Sequence, residues 1–331
     1  MHDSLADALH GDEVTFLICV EANRLEPQAR MLCESVRRFG GRYRAAPILA
    51  LSPRPHLAPG ARLCAALTHL GVTLVVEPLN RTGSGYGTIN RVVAGAWAEA
   101  HASTPYLVVL DTDTVFVDEP RFLRHDAGAR PVDVKGIASS GPDDLLDAYW
   151  TALCAFAGLR PSDLPMVRTT VDGQQVRAAY NGGLTVVRRD RGVLTAASRV
   201  FFEAFTRDVR PRREPADPVL ASTGFVGADA SAWWGSSQAA LSAGIWSRTR
   251  DVVTYDSAYN IPVHSLVDAA DAARLAPASA PVLLHYHYLA EAPYQQTLRE
   301  VVRRLDCSAA ATAFVEAQLP AFLAELDVST R

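Results

Sequence analysis

Lysine is nearly missing from this chain. Of the 32 basic residues only Lys135 is a lysine, and the rest are arginines. Any phosphate met by a long cationic side chain is therefore met by a planar guanidinium. Cysteine is scarce and scattered: Cys19, Cys33, Cys64, Cys154 and Cys307 lie far apart, without a Cys-x-x-Cys pair. That spacing excludes a disulfide framework and predicts reduced, buried thiols. Long apolar runs are missing too, since Val14 to Val20 falls far short of the ~20 residues a membrane span needs. The acidic opening MHDSLADALHGDEV lacks the positive region of a signal peptide. These absences predict a cytoplasmic protein with no transmembrane segment, or one peripheral to a membrane. A surplus of positive charge is missing as well. With 32 basic and 36 acidic residues the net charge is −4, so no overall field draws the chain to nucleic acid.

What is present is the balance of a folded soluble protein, 49% hydrophobic and 21% charged over 331 residues, enough for one large domain or two moderate ones. In the first third, β-rich runs at Val14 to Val20, Pro47 to Leu51, Val72 to Val76 and Tyr106 to Leu110 alternate with helical patterns. Continuous apolar runs of this length suit strands buried on both faces of a parallel sheet. One helix carries Met31, Leu32, Ser35, Val36 and Phe39, opened by Pro27 and closed by Gly40-Gly41. A second covers Leu63 to Leu70 and stops at Gly71, and a third covers Ile89 to Ala100. The order predicts an α/β fold with a mostly parallel central sheet flanked by helices, and a ligand crevice at the carboxyl ends of its strands. Pro/Asp/Gly-rich stretches at 126–143 and 208–224 read as loops. A helix near 143–158, a strand at Ala178 to Val187, a helix at Thr195 to Arg207 and short strands near Val252 to Tyr255 and Val282 to Tyr288 follow. From Tyr294 to Leu326 the pattern is helical, which divides the chain into a domain of residues 1–293 and a C-terminal helical extension, residues 294–331, packed on it.

The residues that carry chemistry cluster where the fourth run ends, in Leu110-Asp-Thr-Asp-Thr114. Two carboxylates at i and i+2, Asp111 and Asp113, can face one divalent cation as the strand turns, and a hard metal with oxygen ligands suits a diphosphate. The alternative is a solvated strand end. Ala179-Tyr-Asn-Gly-Gly-Leu-Thr-Val-Val187 is a strand or, at Asn-Gly-Gly, a hairpin turn. In Val282-Leu-Leu-His-Tyr-His-Tyr288 a period of two puts His285 and His287 on one face, aimed at a site or packed beside Tyr286 and Tyr288. Gly83-Ser-Gly-Tyr-Gly87 fails the GxGxxG spacing and reads as a flexible loop.

The strand ending in Leu-Asp-Thr-Asp-Thr resembles the DxD motif of GT-A-fold glycosyltransferases, and its pattern is similar to that of the glycogenin and bacterial lipopolysaccharide galactosyltransferase group. The resemblance implies a Rossmann-like GT-A domain, a nucleoside-diphosphate sugar as donor, Mn²⁺ (or Mg²⁺) as cofactor, and transfer to an acceptor hydroxyl. It implies Asp111, Asp113 and His285 as metal ligands, with His287 as the alternate, and Thr112 against the ribose. It places Val20, Glu21, Asn23 and Arg24 at the nucleotide, Arg91 at the diphosphate or sugar, and Asn181, Gly182 and Gly183 around the donor sugar. Arg91 as a plain surface-helix residue is the alternative. The family's Asp-Gln pair that opens a later helix is replaced here by Ser237 and Gln238, with Asp229 the nearest upstream carboxylate. Gln238, Asp229 and Asn181 are thus the catalytic candidates, and no general base is evident. The family's Gly-x-x-Lys-Pro-Trp is reduced to Ala292-Pro293-Tyr294. Trp233-Trp234, Tyr149-Trp150 and Trp246 are sugar-stacking aromatics or core. Donor sugar, acceptor and oligomeric state stay open.

Two rival functions share the motif. A haloacid-dehalogenase-like phosphatase would use Asp111 as nucleophile beside Asp113, but that fold carries its nucleophile on the first strand, and three βα units precede this one. A catalytically inactive nucleotide-sugar-binding protein on the GT-A fold is the other. A sugar-nucleotidyltransferase would need an N-terminal Gly-rich loop that Cys19 to Arg24 does not supply.

Overall fold

The computed structural model describes residues 7–211, 219–266, 273, 275 and 280–324. Part of the expected loop, 212–218, and the end of the expected helical tail, 325–331, lie outside the described residues. Strands β1 (Val14–Cys19), β2 (Ile48–Ser52), β3 (Val72–Val76) and β4 (Tyr106–Leu110) alternate with helices α1 (Leu25–Phe39), α2 (Ala61–His69) and α3 (Ile89–His101). Then come β5 (Thr114–Phe116), β6 (Ala127–Pro131), α4 (Asp147–Phe156), β7 (Met166–Arg168), β8 (Gln175–Arg177), β9 (Tyr180–Arg188) and α5 (Val193–Thr206). The hairpin β10 (Leu220–Ala221) and β11 (Gly224–Phe225) leads to α6 (Ala228–Ala232), α7 (Ser236–Arg248), β12 (Val252–Thr254), β13 (Ile261–Pro262) and β14 (Leu283–His285). Helices α8 (Ala292–Arg304) and α9 (Ala309–Ala324) follow.

The central sheet has seven strands in the order β12-β6-β9-β4-β1-β2-β3. Neighbours β3, β2, β1 and β4 are parallel, as are β6 and β12, while β9 runs against both β4 and β6. The first three βα units build outward from β1, and the chain then crosses back to lay β4 on the other side of β1. That reversal opens a crevice at the carboxyl ends of β1 and β4. Residues of β1 alternate between layers: Phe16 and Ile18 pack with Leu32, Val36, Leu63 and Leu67 of α1 and α2, whereas Leu17 packs on the side of α3, α5 and α7. Each such fully buried large apolar side chain contributes about 1.5–3 kcal/mol. Glu99 of α3 ties the second layer together, since its carboxylate accepts from the backbone N–H of Leu194 (2.8 Å) and Thr195 (2.7 Å) at the start of α5.

Several expectations are corrected. Residues 127–131, read as part of a loop, form buried β6, hydrogen-bonded between β9 and β12. Its Ala-Gly-Ala composition reflects space rather than turn chemistry, because a Cβ at Gly128 would lie 2.7 Å from the Tyr255 ring. Asn181-Gly-Gly183 is inside continuous β9 and makes no hairpin. The histidine strand stops at His285, and His287 has a left-handed φ of 59°. The C-terminal helical stretch breaks at Asp306, φ 53°, into α8 and α9. Leu298, Val301, Val302, Phe314 and Leu319 of these helices share a core with Leu284 and Tyr286 around β14. All five cysteines are free, with Cys33 and Cys154 buried.

Candidate active site

The crevice is a cavity of about 540 Å³. Its floor is the turn between β4 and β5. Thr114 Oγ1 donates to Asp111 O (2.7 Å) and Tyr286 N donates to Asp113 O (3.0 Å), which pins the turn against β14. Thr112 Oγ1 donates to Gln28 Oε1 (3.0 Å) of α1. The two carboxylates consequently point to different partners.

Asp111 faces α3. Arg91, in the first turn of that helix, brings Nη1 to 2.5 Å from Asp111 Oδ1 and Nη2 to 3.0 Å from Ser237 Oγ of α7. The guanidinium lies over Gly182, where a Cβ would be 2.1 Å from Nη1. Burial opposes the charge on Arg91, and Asp111 with Tyr86 and Cys19 more than restores it, so the net shift is upward. Tyr86 OH, 3.2 Å from Ser237 Oγ, completes the setting.

Asp113 faces β14. Its Oδ2 is 3.2 Å from His285 Nε2 and 3.7 Å from His287 Nδ1. Pairing of β14 with β5 sets His285 opposite Thr114. The left-handed backbone at His287 keeps its ring beside that of His285, with centroids 4.0 Å apart, and His264 meets His287 at 4.2 Å. Burial works against charge on His285, but the Asp113 carboxylate, aided by Asp111 and Asp133, holds it above the ordinary histidine range. Burial, then the neighbouring His285 and His264, pushes His287 well below that range. Burial also lowers His264.

The far wall is a buried polar network. Arg130, with no exposed surface, donates from Nη1 to Asp133 Oδ1 (2.8 Å) and to the backbone oxygen of Asn260 (2.7 Å). Asn181 Nδ2 donates to Asp133 Oδ2 (2.8 Å), while its Oδ1 accepts from Gly183 N (2.8 Å). The amide is therefore fixed at both ends. At the opposite end Glu21, just past β1, accepts two bonds of 2.6 Å from Arg54.

Of the residues singled out in the sequence, Glu21, Arg91, Asp111, Thr112, Asp113, Asn181, Gln238, His285 and His287 line this one cavity. Gly182 and Gly183 stand behind it, making room for Arg91 and for His285. Val20 is buried, and its N–H is spent on Leu51 O (2.9 Å). Asn23 is exposed at the entry to α1. Arg24 donates to Thr223 O (2.8 Å) of the β10–β11 hairpin and lies over the Tyr288 ring. Asp229 is exposed and accepts from Ser84 Oγ (2.6 Å) of the glycine-rich loop. Tyr149, Trp150, Trp233 and Trp246 are buried in the core, and of the singled-out aromatics Trp150 and Trp234 border the cavity. Asp133, His264, Arg54 and the Ser222-Thr223 backbone also line it, and none was singled out. Asp133 sits in the loop that follows β6, as the loop reading of that stretch expects, and His264 has no periodic neighbours to mark it.

The chain is a glycosyltransferase. It belongs to the family of the Rhodobacterales glycosyltransferase domain, whose family model matches residues 16–219, a span that holds most of β1, the Asp111–Asp113 turn, Arg91 and Asn181. No curated protein matches the chain. Among solved structures it is similar to the galactosyltransferase LgtC in complex with donor and acceptor sugar analogues, at 11% identity and a TM-score of 0.49, covering 93% of this chain and 95% of that one. No helix among the described residues is long and apolar enough to cross a membrane.

Proposed function

We propose that this glycosyltransferase is metal-dependent and of the GT-A type, moving a sugar from a nucleoside-diphosphate donor to an acceptor hydroxyl. One observation carries this: Asp113, His285 and His287 each offer a ligand atom, and these atoms lie within 4.8 Å of one another at the switch-point crevice. The residues suit a divalent ion, since His287 Nε2 is buried without a partner among the described residues and the imidazole beside it is held by Asp113. A divalent cation bound there would supply charge neutralisation for the donor's diphosphate.

The remaining roles fall to the protein itself. Arg91, immobilised by Asp111 and Ser237, sets a second positive charge beside the diphosphate, where negative charge grows as the sugar leaves. Asn181 presents a fixed amide edge to the donor sugar, and Gln238 lines the same space from the first turn of α7. Glu21 and Arg54, at the ends of β1 and β2, bound the nucleoside end. Asp111 holds Arg91 in place and thereby acts on the diphosphate indirectly. The reading is tested by a thermal-shift panel of nucleoside diphosphates and nucleotide sugars with and without Mn²⁺, followed by product analysis. It expects Mn²⁺-dependent stabilisation and a transferred sugar; nucleotide-sugar binding without transfer or hydrolysis would point to a binding protein instead.

A further inference from the structure

Behind the metal-facing side of His285 is a pair of buried polar groups that the chemistry above leaves unused. His285 Nδ1 has no hydrogen-bond partner among the described residues, and neither Oδ1 nor Nδ2 of Asn260 has one. Both side chains are buried, Asn260 completely. They converge on one place: a Cβ at Gly183 would lie 2.3 Å from Asn260 Oδ1 and 2.8 Å from His285 Nδ1. The space that glycine leaves in β9 is therefore the space these two groups share.

Asn260 is not there by accident of a loose loop. Its backbone oxygen accepts from the wholly buried Arg130, and its backbone is left-handed at φ 51°. The next residues, Ile261 and Pro262, pair with Leu284 and His285 in the β13–β14 ladder. Backbone, ladder and Arg130 thus fix the amide relative to the imidazole. An unpaired buried amide is costly, so a partner one side chain away is strongly favoured.

We infer that Asn260 is a positioning residue for His285: its Oδ1 accepts the Nδ1–H of the imidazole and so aims Nε2 at Asp113. A metal-ligating histidine is commonly oriented by such a carbonyl acceptor. The Nδ1–H bond to Asn260 is a property of the protein alone, whereas the consequence for a cation rests on the metal-dependent function proposed above. Gly183 is kept free of a side chain so that the pair can meet.

The test uses full-length protein labelled with ¹⁵N-histidine and stripped of metal, read by long-range ¹H–¹⁵N correlation near neutral pH. His285 signals are identified by their loss in His285→Gln. Asn260→Gly removes the amide at a backbone angle glycine accepts freely, and Asn260→Asp retains an acceptor. Wild type and Asn260→Asp should show a hydrogen-bonded, exchange-protected Nδ1–H on His285, and Asn260→Gly should lose that protection. Mn²⁺ titration of the same samples should show affinity weakened about 10-fold or more in Asn260→Gly and recovered in Asn260→Asp. A wild-type His285 whose Nδ1 carries no protected proton overturns the inference, even if Asn260→Gly fails to fold. So does an Asn260→Gly protein with unchanged Nδ1–H protection and unchanged Mn²⁺ affinity. A wild type that shows the protected Nδ1–H but binds no Mn²⁺ overturns the metal-dependent function and leaves the positioning role standing.

Discussion

Arg91 and Asp111 form a charge pair at 2.5 Å, and so split the two carboxylates of the Asp-x-Asp turn between different tasks. One carboxylate anchors an arginine. The other, Asp113, is left to His285 and His287.

Arg91→Ala should lower kcat for sugar transfer by about 100-fold or more, the usual size for one lost donor to developing charge. Arg91→Lys should not restore it, because a point-charge ammonium cannot reach Asp111 and Ser237 together. Steady-state kinetics beside a thermal melt checks this. Activity within a few-fold of wild type in Arg91→Ala would remove the arginine from the mechanism.

Gly182→Ala tests the same group without touching it. The new methyl would sit 2.1 Å from Arg91 Nη1, at the movable end of a long side chain, so the fold should survive while the guanidinium is displaced. Destabilisation should stay within about 1–3 kcal/mol. Activity should fall to near the Arg91→Ala level, and the double variant should be no worse than Arg91→Ala alone. Additive losses would mean that Gly182 acts by another route.

The C-terminal helices bear on the site through packing. Phe314 of α9 is buried against Phe39 of α1, with ring centroids 5.4 Å apart and Arg38 stacked over it. Phe314→Ala should cost about 3–5 kcal/mol in denaturant unfolding. A loss below about 1 kcal/mol would show that the α9–α1 contact contributes little.

β1, β2 and β4 were readable because strands covered on both faces are nearly continuous apolar runs, the half-exposed edge strand β3 because its short run is rich in valine, and β1 to β4 match the expected runs to within a residue or so. The Asp-x-Asp turn was readable because it ends such a run. β6 was not, since its small residues are dictated by Tyr255 and Val253 packing on Gly128, contacts far away in sequence. The Arg91–Asp111 pair spans 20 residues and depends on Gly182 of a third element, so no spacing rule could reveal it. Arg24, which the resemblance places at the nucleotide, has its guanidinium donating to the hairpin carbonyl of Thr223, 199 residues away, a partner that no local pattern marks. Asp133 reaches the cavity from an irregular segment and His264 from a single turn of 3-10 helix, where neither period two nor period 3.6 applies.

Turnover that depends on a divalent ion at Asp113, His285 and His287 is tested by titrating Mn²⁺ into chelator-stripped wild type and Asp113→Ala protein while following sugar release from a nucleotide-sugar donor. Saturable binding in wild type, with turnover rising along the same curve, and neither binding nor turnover in Asp113→Ala are the expected results. Full turnover by stripped wild type in excess chelator, or undiminished turnover by Asp113→Ala, would contradict that dependence.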